Sequence, residues 1–340
     1  MIIDSDLTNR LQQQISKTRK AAIITHHNPD GDAVGSSLAL YHYLLKKGIK
    51  PEIFFSNMYP DFLSWMITDE NLSVYNNKNE DVIKNRIMDA DTIFCLDFNS
   101  FHRAWHLKPF LKTSKAYKIL IDHHTEPDSK SFDLTFSTTQ TSATASLLFD
   151  IIASSGDTHL MDKKMAEFIY VGMATDTGSF SYNANYTRTY DILSQLFSLG
   201  IDGAHIQHLV YNNFTEKRMR LFGLCLNQNL TVRKEHKTAY ITLPMNDLKE
   251  YSYKPGDTEG IVNYALAIKG IEMSALFIER KDLIRVSLRS YGNLNVNKIA
   301  ADLFNGGGHK NAAGANSKLS LADTIKKFET HLPKIDNYRT

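Results

Sequence analysis

A chain of 340 residues exceeds one typical domain and is long enough for two, each with its own hydrophobic core. With 42% hydrophobic and 22% charged residues and no low-complexity tract, it reads as an ordinary globular protein, not a disordered or fibrous one. A net charge of +2, from 39 Lys and Arg against 37 Asp and Glu, excludes a whole-surface electrostatic grip on long duplex nucleic acid, so any nucleic-acid substrate must be held locally.

The stretch Met1 to Lys20 carries acids early and lacks the basic start and continuous apolar run of a secretory signal. No later segment approaches the roughly 18 uninterrupted apolar residues of a membrane span. Cys95 and Cys225 are too few for a disulfide framework. These features predict a soluble, cytoplasmic protein with no membrane partner.

Along the chain, short β-prone runs at Ala21 to Thr25, Ile53 to Ser56, Thr92 to Phe98 and Lys118 to Asp122 alternate with helical patterns, which predicts an α/β fold with a mainly parallel sheet. The first strand runs into His26-His27-Asn28-Pro29-Asp30-Gly31-Asp32, after which Val34, Leu38, Tyr41 and Leu45 recur at helical spacing up to Gly48. The third run ends at Asp97 and the fourth at Asp122-His123-His124. A helical pattern through Met165, Phe168, Ile169 and Gly172 leads into Asp176-Thr177-Gly178.

From about Tyr190 to Asn229 the pattern is helical and moderately polar, as expected of a connecting segment. Beyond it, strands are predicted at Ala239 to Leu243, Ser274 to Ile278 and Ile284 to Leu288, with a tight turn at Lys281-Asp282. A helix around Val296 to Phe304 then meets Gly306-Gly307-Gly308-His309, and a last helix fills roughly 320 to 331. The predicted layout is a larger first domain over 1–189, a helical linker over 190–230 and a smaller α/β domain over 231–340.

Each polar cluster alone has an ordinary explanation. Asn28 to Gly31 is a strong turn signal, and Asp32 reads equally as a cap for the following helix. An acid such as Asp97, abutting Phe94, Cys95 and Leu96, needs a partner or a cation to offset its desolvation. The joint pattern is more telling: His26, Asp30 and Asp32 after one strand, Asp97 after another, His123 and His124 after a third, then Asp176. Open α/β sheets place their sites at strand carboxyl ends, and such a set would repel itself without cations between its members. Carboxylates with imidazoles and no thiolate suit manganese, with magnesium, cobalt or iron as alternatives, and disfavour a structural zinc.

In the predicted strand Ile284 to Ser290, alternation sets Arg285, Ser287 and Arg289 on one face, which makes Arg289 a candidate phosphate fork. The glycine run before His309 reads either as a flexible helix exit or as backbone that approaches a phosphate closely. Arg103, six residues after Asp97, reads either as a phosphate contact or as a surface arginine.

The segment Thr25 to Ser36 resembles motif I of the DHH family of phosphoesterases, Leu96-Asp97 motif II, Asp122-His123-His124 motif III and Thr175-Asp176-Thr177-Gly178 motif IV. Gly306-Gly307-Gly308-His309 with Ala312-Ala313-Gly314 resembles the signature of the companion DHHA1 domain. The resemblance implies two divalent ions, one held by His26, Asp30 and Asp97 and the other by Asp32, Asp97, His123 and Asp176, with Asp97 bridging. It further implies catalytic roles for His124 and Asp122, substrate contacts at Arg289, Gly307, Gly308 and His309, and in-line attack by a metal-bridging hydroxide. His27 stays unassigned.

Within the family the two-domain layout is similar to bacterial enzymes that degrade short oligoribonucleotides and dephosphorylate 3′-phosphoadenosine 5′-phosphate. The implied partner is therefore short single-stranded RNA or a small nucleotide, and a homodimer is a further expectation. A phosphodiesterase for cyclic or linear dinucleotides is the alternative within the family. A non-catalytic nucleotide-sensing or RNA-binding module is the alternative of another class.

Overall fold

The computed structural model describes residues 3–181, 184, 186–254 and 256–340. The chain divides into two compact units, Met1–Asn213 and Phe214–Thr340. Among the described residues no helix is long and apolar enough to cross a membrane, and both cysteines are buried and free.

The first unit is built on a six-stranded parallel sheet of β1 (Lys20–Thr25), β2 (Lys50–Phe55), β3 (Leu72–Val74), β4 (Thr92–Leu96), β5 (Tyr117–Asp122) and β6 (Leu134–Ser137), in the order β3-β2-β1-β4-β5-β6. Its central strands are apolar throughout because helices cover both faces. Ile23, Ile53, Phe94 and Leu96 face one core, and their sequence neighbours Ala22, Ile24, Phe54 and Cys95 face the other. The first core is covered by α1 (Ser5–Lys17), α2 (Gly31–Lys46), α5 (Thr144–Ser154) and α6 (Lys163–Asp176), the second by α3 (Glu80–Met88) and α4 (Lys108–Thr113). Helices α7 (Thr187–Ser198) and α8 (Gly203–Tyr211) also belong to this unit and bury Ile192, Leu196, Ile206 and Val210 in the first core.

The strand order reverses direction between β1 and β4, so the loops leaving these two strands diverge and open a crevice at their carboxyl ends. That crevice is where His26 and Asp97 emerge. Strands β3 and β6 have no counterpart among the sequence-predicted strands. Each is a sheet edge of only three or four residues, too short to show a period.

The second unit carries β7 (Leu230–Arg233), β8 (Thr238–Leu243), β9 (Met273–Glu279), β10 (Ile284–Ser290), β11 (Gly307–His309) and β12 (Ala312–Ser317), ordered β11-β12-β10-β9-β8-β7. All neighbours are antiparallel except β8 and β9. Helices α9 (Glu216–Asn227), α10 (Met245–Glu250) and α11 (Ile261–Leu266) pack on one face, and α12 (Val296–Phe304) and α13 (Leu321–His331) on the other. The turn at Lys281-Asp282 is present, closed by Arg280 N–H donating to Leu283 O at 2.8 Å.

The glycine run differs from the flexible helix exit that its composition allows: Gly307 to His309 form the edge strand β11. A Cβ on Gly306 would stand 2.4 Å from Gly314 O, and one on Gly308, at φ +148°, would stand 2.5 Å from Ala312 O. Close strand approach therefore requires glycine at both. Gly307 would meet nothing nearer than Asn297 Oδ1 at 3.7 Å, so it alone is not explained by packing.

Candidate metal centre

At the carboxyl edge of the first sheet, His26, Asp30 and Asp97 present ligand atoms within 4.8 Å of one another, as do Asp32, His123 and Asp176, and Asp97, Asp122 and His124. All of the sequence-predicted metal and catalytic residues thus meet in one place. Asp97 belongs to two of the sets. Its Oδ2 lies 3.3 Å from His26 Nε2, and its Oδ1 lies 3.5 Å from His123 Nε2.

Local backbone chemistry aims these groups. Asp97 follows the last residue of β4 at φ +63°, a left-handed conformation that aspartate tolerates better than most residues, and its N–H donates to Ile121 O at 3.0 Å. The Nδ1–H of His26 must donate to His27 O at 2.9 Å, since a carbonyl only accepts, so Nε2 is the nitrogen facing Asp97 and Asp30.

Asp30, not Asp32, caps α2: its Oδ1 accepts from Asp32 N–H and Ala33 N–H, both at 3.1 Å. The capping reading of Asp32 is therefore corrected. With Asp30 at the N-cap, Asp32 falls in the first helical turn and points inward, where its oxygens accept from Thr144 N–H at 2.6 Å and Ala145 N–H at 2.9 Å. These amides open α5, whose N-terminal dipole favours the buried carboxylate.

Thr144 was not singled out in the sequence. It holds two members of the cluster at once, because its Oγ1 also donates to Asp97 Oδ1 at 2.9 Å. The Ser/Thr-rich run before an apolar helix marks a helix start, but the N-cap is Ala143, and nothing in the run points to these carboxylates. Nδ1 of His124 donates to Asp122 Oδ1 at 2.7 Å, and Nε2 of His123 lies 3.4 Å from Asp176 Oδ2 and 3.9 Å from Asp32 Oδ2.

The electrostatics follow from crowding carboxylates at a buried sheet edge. Burial raises the Asp32 carboxyl well above its usual range, and the charges of Asp97, Asp176 and Asp30 push it further. Burial lowers the His26 imidazole, but hydrogen bonds to Asp30 and Asp97 outweigh this and raise it to about 10. Burial also raises the Asp30 and Asp97 carboxyls, but hydrogen bonds to His26 outweigh this and hold both below the usual carboxylate range. Oxygen and imidazole donors, with no thiolate, fit borderline-hard divalent ions, which would neutralise these carboxylates.

Arg103 lies in the turn Phe101–Leu107, with its carbonyl accepting from His27 N–H at 2.7 Å. Its half-buried side chain is close enough for its charge to oppose protonation of His26 and to favour ionised Asp30.

In the second unit, one row runs across four strands: Ser274 on β9 pairs with Arg289 on β10, Arg289 with Ala312 on β12, and Ala312 with His309 on β11. Directly opposed residues share a face, so Arg289 and His309 flank the small Ala312. Arg289 donates from Nη1 to Leu288 O at 3.0 Å, while its buried Nε and the buried Ser274 Oγ have no hydrogen-bond partner among the described residues. Such orphaned donors call for an explanation, and an anionic ligand supplies one.

Residues 20–173 match the model of the DHH family, N-terminal domain, and residues 237–333 match that of the DHHA1 domain. The probable bifunctional oligoribonuclease and PAP phosphatase NrnA of Streptococcus mutans is 28% identical, over 88% of this chain and 89% of that protein. The bifunctional oligoribonuclease and PAP phosphatase NrnA of Thermus thermophilus is 27% identical, over 87% and 83%. A crystal structure of an exopolyphosphatase-related protein from Bacteroides fragilis superposes with a TM-score of 0.92 at 38% identity, covering 98% of this chain and 97% of that one. With both domain models matched in order and the motif residues gathered at one sheet edge, the chain belongs to the DHH family and is a phosphoesterase with a DHHA1 domain.

Proposed function

We propose that the protein hydrolyses short oligoribonucleotides to nucleoside monophosphates and removes the 3′-phosphate of 3′-phosphoadenosine 5′-phosphate, using two divalent ions, manganese foremost. The observation that carries this reading is the position of Asp97, with one oxygen toward the His26 set and the other toward the His123 set. His26, Asp30 and Asp97 would hold one ion, and Asp32, Asp97, His123 and Asp176 the other. Such a pair, when bound, polarises the phosphoryl oxygen and supplies a nucleophile from water at neutral pH.

The chain's own residues do the rest. Thr144 and the first amides of α5 hold Asp32 and Asp97 in place, which fixes the spacing of the two ligand sets. Asp122 fixes the His124 tautomer by accepting from Nδ1, so Nε2 is the atom that takes a proton and returns it to the departing oxygen. Arg289, with its orphaned Nε, and His309 would grip a substrate phosphate, Gly307 and Gly308 would bring backbone to it, and Arg103 would add positive charge near His26 and Asp30.

The supporting relatives are named for oligoribonuclease and PAP phosphatase activities. The near-neutral charge of the chain favours short substrates, since long strands bind through many phosphate contacts, and the family resemblance implies a length of about two to five residues. The test incubates the purified protein and manganese with 5′-labelled RNAs from the dinucleotide to about 24 residues, and with 3′-phosphoadenosine 5′-phosphate. Rapid hydrolysis of the shortest RNAs and release of phosphate from the nucleotide are expected. Equal efficiency on the dinucleotide and the long RNA, or activity confined to cyclic dinucleotides, would overturn the assignment.

A further inference from the structure

We propose that a cleft beside the metal centre is a nucleobase subsite, in which the substrate's base lies against the stacked rings of Tyr75 and His106. The inference rests on the phosphoesterase reading above and says where a nucleotide with its phosphate at the carboxylate–imidazole cluster puts its base. The cleft measures about 640 Å³ and is lined by Ser56, Asn57, Tyr75, Asn77, Lys78 and His106, among others. That volume lies within the roughly 300 to 1,000 Å³ of small-molecule sites.

Position is the first argument. Ser56 and Asn57 follow β2, Tyr75 follows β3, and His106 lies in the turn after β4. The cleft therefore shares the carboxyl edge of the sheet with the ligands that leave β1, β4 and β5. Two adjacent residues join the sites. His26 turns to Asp97, while the Nδ1 of His27 is 2.9 Å from Ser56 Oγ and its ring is 6.1 Å from that of His106. Asn57 Oδ1 also accepts from Asn28 N–H at 2.6 Å, so the cleft wall and the loop leading to Asp30 are hydrogen-bonded together.

Surface chemistry is the second argument. Tyr75 and His106 stack with centroids 4.7 Å apart and planes 8° from parallel, and His27 stacks on Trp105 at 5.4 Å and 24°. Trp105 is 58% exposed and sits at φ +47°, where a bulky side chain is strained. A contiguous set of rings is thus held open to solvent next to the cluster. Every base has a π face, so such a platform accepts all four, as a hydrolase of short RNA requires. Asn57 and Asn77 line the same cleft, and the Asn77 amide would border the base edge. Lys78, with no ion pair among the described residues, places a cation at the mouth for a neighbouring phosphate.

The test compares adenosine 5′-monophosphate with ribose 5-phosphate as competitive inhibitors of dinucleotide hydrolysis by the full chain with manganese. The nucleotide should inhibit about five- to a hundredfold more tightly than the sugar phosphate, the range that one base stack supplies. In His106→Ala that advantage should largely vanish. Asn77→Trp, which fills the cleft from an exposed turn, should remove it too and guards against a folding defect in the first variant. Equal inhibition by the two ligands in the unaltered protein, with turnover intact, would overturn the subsite alone, as would an advantage that survives both substitutions. Absence of dinucleotide hydrolysis in the unaltered protein would overturn the parent reading and the subsite with it.

Discussion

Oδ2 of Asp97 lies 3.3 Å from Nε2 of His26, at the point where β4 gives way to a residue of left-handed backbone. The other oxygen of the same carboxylate is 3.5 Å from His123 Nε2 and accepts from Thr144 Oγ1 at 2.9 Å. One side chain therefore ties together residues that leave β1, β4 and β5 and the helix that opens at Thr144. Its loss should be felt throughout the cluster.

Asp97→Ala should lower bound manganese and dinucleotide turnover at least as much as Asp30→Ala, because the Asp97 carboxylate turns one oxygen to His26 and the other to His123, whereas Asp30 belongs to the His26 set. Metal content measured after dialysis checks this. Two ions still retained by Asp97→Ala, with near-normal turnover, would remove the bridging assignment.

Gly172→Ala should loosen the same site from behind. A Cβ there would stand 2.6 Å from Ala145 Cβ and 2.8 Å from Asp32 Oδ1, so α2, α5 and α6 would have to separate. Overpacking of this kind costs about 1–3 kcal/mol. A lower urea midpoint together with weaker manganese binding is expected, and no change in either would show that Asp32 is not held by this contact.

Acid stability should depend on Glu70, whose buried carboxylate accepts from His42 Nε2 and pairs with Lys164 Nζ, both at 2.8 Å. Burial alone would raise this group, but Lys164, His42 and the Thr68 N–H outweigh it and lower it to about 2. A depressed carboxyl stabilises the fold above its unfolded value and loses that contribution as pH falls toward its folded one, here between about 4.5 and 2. Denaturation midpoints between pH 5 and pH 2.5 should therefore fall less steeply in Glu70→Gln than in the unaltered protein. Identical slopes would remove Glu70 as a source of acid lability.

In the second unit, substitutions should separate gripping from folding. Arg289→Ala should leave metal content unchanged and lower kcat/KM for a dinucleotide about ten- to a hundredfold, the worth of one charge-assisted hydrogen bond. Gly308→Ala should instead destabilise the fold, because its Cβ would meet Ala312 O at 2.5 Å on a backbone suited to glycine, whereas Gly307→Ala should fold normally. Thermal midpoints and kinetics on the three variants check the division. An equal stability loss in Gly307→Ala and Gly308→Ala would contradict the packing account.

Much of the candidate centre was legible because acids and imidazoles recur after three apolar strands: each cluster is ordinary alone, but together they have few other uses. Helix α12 was likewise readable residue for residue, since its apolar period is bounded by Asn295 and Asn305. What escaped was set by tertiary packing. Thr144 carries no ligand chemistry and gains its importance only when α5 points its amides at Asp32. Edge strand β11 was hidden because three glycines and a histidine signal a turn until the approach of β12 is seen. The contacts of His27 with Ser56 and Trp105 are likewise invisible in the sequence, because they come from loops distant along the chain.

The most direct test of the central claim titrates manganese into metal-depleted protein while dinucleotide hydrolysis is followed. The proposed pair of carboxylate–imidazole sets, joined by the two oxygens of Asp97, predicts that hydrolysis tracks the filling of a second ion per chain and falls to background in excess chelator. Full turnover in chelator after exhaustive dialysis, or a plateau reached with one ion per chain, would contradict the account.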